Sequence, residues 1–172
     1  MLVSVALVAS AASASAQEIF QASLTPDIAI HSRTTQINGF ALNIWGENPQ
    51  HSFNLGLVNG STGESKGFSL GLVNYAEDYT GFAYGLVNIS SQRFSGVQMA
   101  YVNVSSGEFF GVQDGWVNIA ENFTGLQYGL VNYAKNLRGV QIGVVNIARN
   151  NPWFKEFPDK LATGFPIVNW SF

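Results

Sequence analysis

The sequence predicts an all-β fold, and within that class a parallel β-solenoid in which a short repeat stacks on copies of itself. The first observation is a phrase, Gly-Leu-Val-Asn or a close variant, that recurs seven times between residues 52 and 148 at steps of 14 or 15 residues. The second is the content of each copy, where Val, Ile, Tyr and Phe alternate with small or polar residues, as in strands. A fixed short period makes one repeat the unit of structure, and we expect about nine coils.

The chain begins with a segment that resembles an export signal. Residues 2–9 are apolar, and Ala14-Ser15-Ala16 fits the small-residue pattern of a signal cleavage site. The basic residues that usually start such a signal are missing, since the first Lys or Arg is Arg33. We assign residues 1–16 to an export signal and expect the mature protein to begin near Gln17.

The rest of the chain, residues 17–172, is predicted to be a single repeat domain. Residues 35–51 form a degenerate first copy that carries Asn43. Seven regular repeats follow in residues 52–148, and residues 149–172 hold a loop and a terminal capping copy that carries Asn169. Atypical terminal copies are expected because a stack must cover its two open ends.

The reach of the chain requires a corner inside each copy. Ten extended residues cover roughly 33 Å, whereas a four-residue return covers at most ~14 Å, so a flat strand could not come back to its starting edge. The second small residue of each copy is the natural place for this corner. These residues are Gly56, Gly71, Gly85, Ala100, Gly115, Gly129 and Gly143.

An antiparallel meander, closed as an outer-membrane β-barrel of 8–10 strands, is the alternative arrangement. The ending supports it, because Val168, Trp170 and Phe172 alternate and finish on Phe, as in the last strand of such barrels. Two observations oppose it: the turns show no alternation between unlike ends, and one face would carry both the repeated Asn and Asp114 into lipid. The solenoid is favoured.

The Asn that ends each phrase is predicted to form a structural ladder. In a parallel stack these residues align, and each side-chain amide can bond the next one a coil away. The ladder comprises Asn59, Asn74, Asn88, Asn103, Asn118, Asn132 and Asn146.

A second set of residues varies between copies and forms a candidate ligand face. Aromatic side chains exposed together would make a patch suited to sugars, peptides or a membrane interface. If they point inward, they are core. The set comprises Tyr84, Tyr101, Asp114, Trp116 and Tyr128.

Two phrases resemble a known family. Gly-Leu-Gln-Tyr-Gly-Leu-Val-Asn at 125–132 and Gly-Val-Gln-Ile-Gly-Val-Val-Asn-Ile-Ala at 139–148 are similar to the bacterial surface-repeat proteins first named in leptospires. The segments 39–45 and 166–172 share the resemblance. It implies an exported, surface-associated protein, and it carries no catalytic or binding motif. The first copies depart from the pattern, with Asn54, Ser69 and Ala83 where the usual Gln would stand.

Composition narrows the function further. The chain has no Cys, two His and a net charge of −3 without a basic cluster, which argues against thiolate chemistry, a His-based site and nucleic acid as a partner. We expect no enzyme activity, no catalytic residues, no metal and no cofactor. The predicted function is structural or adhesive at the cell surface or outer membrane of a bacterium, through multivalent contact with a surface glycan, a host component or a cell-envelope component. The alternative is a small outer-membrane β-barrel acting as an anchor or narrow pore.

Overall fold

The structure, a computed structural model, describes residues 17–172, and the predicted export signal lies outside the described residues. The described chain is a parallel β-solenoid of about seven turns, which confirms the predicted fold class. The strands are β1 (Gln17–Thr25), β2 (Ile28–Ala29), β3 (Gln36–Asn48), β4 (His51–Tyr84), β5 (Val87–Met99), β6 (Val102–Ala148) and β7 (Gly164–Ser171). Strands β4 and β6 are long because each follows the chain through several consecutive coils.

Equivalent positions of successive repeats lie side by side. Asn88 of β5 pairs in parallel register with Asn74 of β4 on one side and with Asn103 of β6 on the other. The antiparallel meander is therefore wrong as the arrangement of the repeats. In a meander, neighbouring copies would run in opposite directions, so equivalent residues could not all lie opposite each other. In the observed parallel register they do.

The two ends of the stack differ from the sequence prediction. The first strand, β1, precedes the predicted first copy and pairs in parallel with β3, so the stack starts 18 residues or so earlier than residue 35. The last copy is not another coil, because β7 runs antiparallel to the final segment of β6. The stack has about seven turns, fewer than the nine expected.

In the central coils, four kinds of side chain point to the interior. These are an aromatic residue, the Gln position, the repeated Asn and a small Ala or Ser. The inner aromatic row consists of Tyr79, Phe94, Phe109 and Phe123, whose neighbouring ring centroids are 5.1–5.4 Å apart. These stacked rings are the main apolar contact inside the solenoid.

The first Gly of a repeat adopts a positive φ and lies against the equivalent residue of the preceding coil. Gly111 has φ +134°, a conformation that favours glycine, and Gly96 and Gly125 on either side have nearly the same angle. A Cβ on Gly111 would lie 1.9 Å from the carbonyl oxygen of Gly96 in the preceding coil. The first Gly of each repeat is thus required by both backbone angle and space.

Polar contacts hold the N-terminal end together. The Trp45 indole N–H donates a hydrogen bond to the Tyr75 hydroxyl at 3.1 Å, and that hydroxyl donates one to Glu47. Arg33, in the turn after β2, reaches the same Glu47 carboxylate at 3.3 Å. Burial, followed by the bond to Glu47, raises the pKa of Tyr75 to about 12, so the phenol stays protonated and remains a donor.

The C-terminal end of the stack packs against the segment 149–163 and β7. Leu161 and Ala162 of this segment are buried. Asn169 of β7 accepts from the Ala162 backbone N–H at 3.3 Å and donates to the Ala162 carbonyl at 2.9 Å. Its side chain therefore fastens the loop to the last strand.

Candidate functional site

The repeated Asn side chains form one continuous row of hydrogen bonds inside the solenoid. In mid-stack, Asn103 donates to Asn118 at 2.9 Å, and Asn118 donates to Asn132 at 2.8 Å. The same bond, between 2.8 and 3.0 Å, joins every pair of neighbours in the row. The members, here called the Asn row, are Asn43, Asn59, Asn74, Asn88, Asn103, Asn118, Asn132 and Asn146.

The first member of the Asn row reaches it from a shifted position. Asn43 pairs in register with Gly56, not with Asn59, yet its side-chain N–H donates to the side-chain oxygen of Asn59. Gly46 leaves the space, because a Cβ there would lie 2.1 Å from the Asn43 side-chain oxygen. The last predicted copy contributes nothing to the row, since Asn169 bonds Ala162 and Trp170.

The members of the Asn row from Asn59 to Asn132 also support the corner of the following coil. The Asn103 amide donates to the carbonyl of Asp114, and the Asn118 amide donates to that of Tyr128, both at 2.9 Å. The acceptor is the residue just before the second small residue, where a Cβ on Gly129 would come within 2.8 Å of the Asn118 nitrogen. The Asn of one coil therefore holds the corner of the next coil, and the glycine at that next corner leaves room for the Asn side chain.

Replacing Asn118 by Ala tests the Asn row. The change removes bonds to Asn103, Asn132 and the Tyr128 carbonyl, and it leaves buried polar atoms without these partners. We expect a loss of ~1–3 kcal/mol in the free energy of unfolding, measured by urea denaturation. Asn43→Ala is the matched control, because Asn43 ends the row with one amide bond and an unpaired oxygen within residues 17–172. Equal, negligible losses would show that the row does not stabilise the stack.

The Gln residues of the later repeats also point inward. Gln113 donates to Gln98 at 3.0 Å, Gln127 to Gln113 at 2.8 Å and Gln141 to Gln127 at 2.7 Å. Ala83 ends this row on the N-terminal side, and in the two copies before it the same position holds Ser69 and Asn54, which are buried and hydrogen-bonded. Sequence reasoning did not assign this second row, although its regular spacing was the available signal.

The five residues of the candidate ligand face line one groove on the outside of the solenoid. The floor is the row of second small residues, among them Ala100 and Gly115, where the chain turns its corner. Tyr84, Asp114 and Tyr128 stand on one wall, and Tyr101 and Trp116 stand on the other. The four aromatic side chains are exposed, and Asp114 is half-buried.

This ligand groove has a volume of about 820 Å³ and mostly apolar walls. Tyr101 and Trp116 contact each other edge to face, with ring centroids 4.8 Å apart. Leu72, Leu86, Leu130 and Val144 continue their wall, so that the groove extends over six coils. At one strand spacing per coil its length is roughly 24 Å. Asp114 is the one ionisable carboxylate on its walls.

Other kinds of site are not seen in the described part of the chain. Residues 17–172 hold no group of three His, Cys, Asp or Glu side chains placed to bind a metal ion. In the same range no helix has the length and apolar character needed to cross a membrane. No protein-family model, curated protein or solved structure matches the chain.

Proposed function

We propose that this protein is an exported, non-enzymatic surface protein of a bacterium that makes structural or adhesive contacts through its ligand groove. The class of ligand is an extended glycan of the cell envelope or of a host surface. The single observation that carries the proposal is the alignment of four exposed aromatic side chains and one carboxylate along a groove that spans several successive coils.

The chemistry of the walls suits a sugar polymer. A Tyr or Trp ring offers an apolar face for the C–H side of a sugar ring, while its O–H or N–H group bonds hydroxyls at the edge. Asp114 adds a carboxylate that can accept hydrogen bonds from sugar hydroxyls. Few converging polar groups on mostly apolar walls are typical of small-ligand sites.

The shape of the groove favours a polymer over a compact ligand. The floor repeats once per coil, so neighbouring units of an extended chain meet similar surroundings at a fixed interval. The binding free energies of individually weak contacts then add, because each bound sugar unit holds the next unit close to the next coil. Affinity should therefore rise with the length of the glycan.

Export is supported by the residues outside the described structure. An apolar stretch at residues 2–9 followed by Ala14-Ser15-Ala16 fits a secretory signal, and the resemblance to bacterial surface-repeat proteins agrees with it. A surface location would bring the groove into contact with envelope or host polysaccharides.

The triple substitution Tyr84→Ala, Tyr101→Ala and Trp116→Ala tests the groove as a binding site. The three rings are exposed, so we expect the circular dichroism spectrum to stay that of the native β structure. Each ring contributes roughly 0.5–1.5 kcal/mol through stacking, which predicts at least a tenfold loss of affinity for a glycan found by array screening.

Trp153→Ala is the matched control for this experiment. Trp153 lies in the C-terminal loop, away from the groove, and is 58% exposed, against 61% for Trp116. Its loss should leave glycan affinity unchanged. If no glycan binds the native protein, or if the triple variant binds as tightly as the native protein, the groove is not the adhesive site.

A further inference from the structure

The floor of the ligand groove ends at Ile167. The second small residues form this floor, one in each coil, up to Gly143. No further coil follows the one that holds Gly143, because strand β7 pairs with that stretch instead. In this antiparallel register Ile167 lies directly opposite Gly143. Ile167 therefore occupies the place where one more coil would have put its corner glycine.

We infer that Ile167 closes the C-terminal end of the ligand groove and makes the groove specific for the end of a glycan chain over its interior. The inference rests on the proposed glycan binding and refines it. Three observations carry it: the exposure of the Ile167 side chain, its backbone angle, and the lack of an outward side chain at the other floor positions.

The Ile167 side chain points away from the solenoid interior and borders the groove. It is 75% exposed, and it lines the same groove as Gly143 and Val144 of the last coil. Elsewhere the floor is glycine, or Ala100 in one coil, so a bound polymer can lie close to the backbone. At Ile167 a branched side chain stands on the floor, and a polymer lying along the floor would collide with it.

The N-terminal end of the floor has no comparable side chain within residues 17–172. Beyond Gly56 the next position in register is Asn43, and beyond that is Ser23. Both side chains are buried, so they point into the solenoid and not into the groove. The exposed side chains of Leu55 and Leu57 continue the two walls in this direction. The groove is therefore open at one end and closed at the other.

The backbone at Ile167 is strained. Its φ is +72°, in the left-handed region, where a β-branched residue is a genuine outlier. Contacts on both sides fix it there: the Asn146 amide donates to the Phe165 carbonyl at 3.2 Å, and the Asn169 amide donates to the Ala162 carbonyl at 2.9 Å. Residues held in such conformations cluster at binding sites. Glycine would fit this angle more easily, so the isoleucine side chain itself has a role.

A groove with one closed end selects chain ends. A polymer that continues in both directions cannot lie along the whole groove, because its next unit would collide with Ile167. A chain whose terminal unit stops at Ile167 can instead fill the coils that carry Tyr128, Trp116 and Tyr101. Since the two ends of a glycan are chemically different, the groove should also discriminate between the two directions of the chain.

The test uses linear hexasaccharides of cellulose, chitin and β-1,3-glucan, each attached to a sensor surface once through its reducing end and once through its non-reducing end. The native full chain should bind at least one of them about tenfold more tightly in one orientation than in the other, because attachment blocks one end. Ile167→Gly should bring the two affinities to within about twofold, since the attached end can then pass beyond the last coil. Ile167→Ala, which keeps a Cβ, should give an intermediate ratio.

The urea midpoint is the folding control for Ile167→Gly. Because Ile167 is exposed and its φ suits glycine, the midpoint should not fall. Val144→Ala is the matched control for the loss of an apolar contact. Val144 is 65% exposed, against 75% for Ile167, and lies on the wall of the last coil. Its replacement should weaken binding in both orientations by the same factor.

Two results would overturn the inference and leave the glycan-binding groove intact. The native protein could bind a hexasaccharide equally well in both orientations, or Ile167→Gly could keep the full difference between them. If no hexasaccharide binds the native protein in either orientation, the proposed function fails together with this inference.

Discussion

Gly111→Ala is expected to prevent the solenoid from forming a stable stack. The new Cβ would lie 1.9 Å from the carbonyl oxygen of Gly96 and 2.9 Å from its carbon. Gly96 and Gly111 are direct partners in the parallel register, so the neighbouring backbone cannot yield without breaking the bonds between two coils. The φ of +134° adds a conformational penalty for any residue with a side chain. We expect a loss above ~4 kcal/mol, seen as insoluble protein or as a large fall in the urea midpoint.

Gly63→Ala separates the clash from the backbone angle. Gly63 also has a positive φ, +56°, but a Cβ there would meet nothing within 4 Å. Alanine should therefore cost only about 1–2 kcal/mol, the price of the left-handed conformation. If Gly63→Ala and Gly111→Ala lose equal stability, the close approach of the coils is not what selects glycine.

Phe109→Ala is the second change with a large expected effect. Phe109 is fully buried, and its ring stacks between Phe94 at 5.3 Å and Phe123 at 5.1 Å. The rings of Phe94 and Phe123 are stacked in their own coils, and the other inward side chains nearby are polar or small, so the cavity cannot be filled without moving a coil. We expect a loss of about 3–5 kcal/mol in the free energy of unfolding, measured by denaturant titration.

The next residue along the chain supplies the control. Phe110 has the same side chain but points outward and is exposed. Phe110→Ala should change the free energy of unfolding by less than ~1 kcal/mol, within the usual range for surface positions. Similar losses for the two variants would mean that the inner aromatic row is not the apolar core of the stack.

The regular part of the fold could be predicted because each repeat places the same chemistry at the same interval. In a parallel stack, residues 14 or 15 apart become neighbours, so the recurrence of Asn118 after Asn103 indicated its contact directly. The second small residue was expected at a corner, and the chain does bend at Gly85–Leu86 and Ala100–Tyr101.

The ends were less predictable because they depend on contacts that do not repeat. Strand β1 lacks the Gly-x-x-Asn phrase, so nothing in its spacing indicates a coil. Residues 165–170 imitate a repeat, but the loop 149–163 brings β7 back in the opposite direction, and Pro166 has no N–H to donate. Chain direction is set there by the connection and not by the pattern.

Whether the aromatic side chains point inward or outward could also not be predicted from the repeat pattern. On one flat strand Tyr84, Leu86 and Asn88 would share a face, because every second residue points the same way. The corner at Gly85–Leu86 breaks this alternation, so that Tyr84 and Leu86 point outward while Asn88 points inward. The bend in each coil therefore changes which side of the strand the following residues face, and this decides which residues form the groove and which form the interior.

The two end caps have a consequence for how such a protein can change its size. Strand β7 and its loop close one end, and the hairpin of β1 and β2 closes the other, while the coils between them meet only copies of themselves. Duplicating one 14- or 15-residue unit in frame would thus lengthen the molecule by one strand spacing, ~4.8 Å, and the contacts of both end caps would stay the same. The span of the molecule is in this sense a count of repeats, adjustable in whole steps by recombination within the gene.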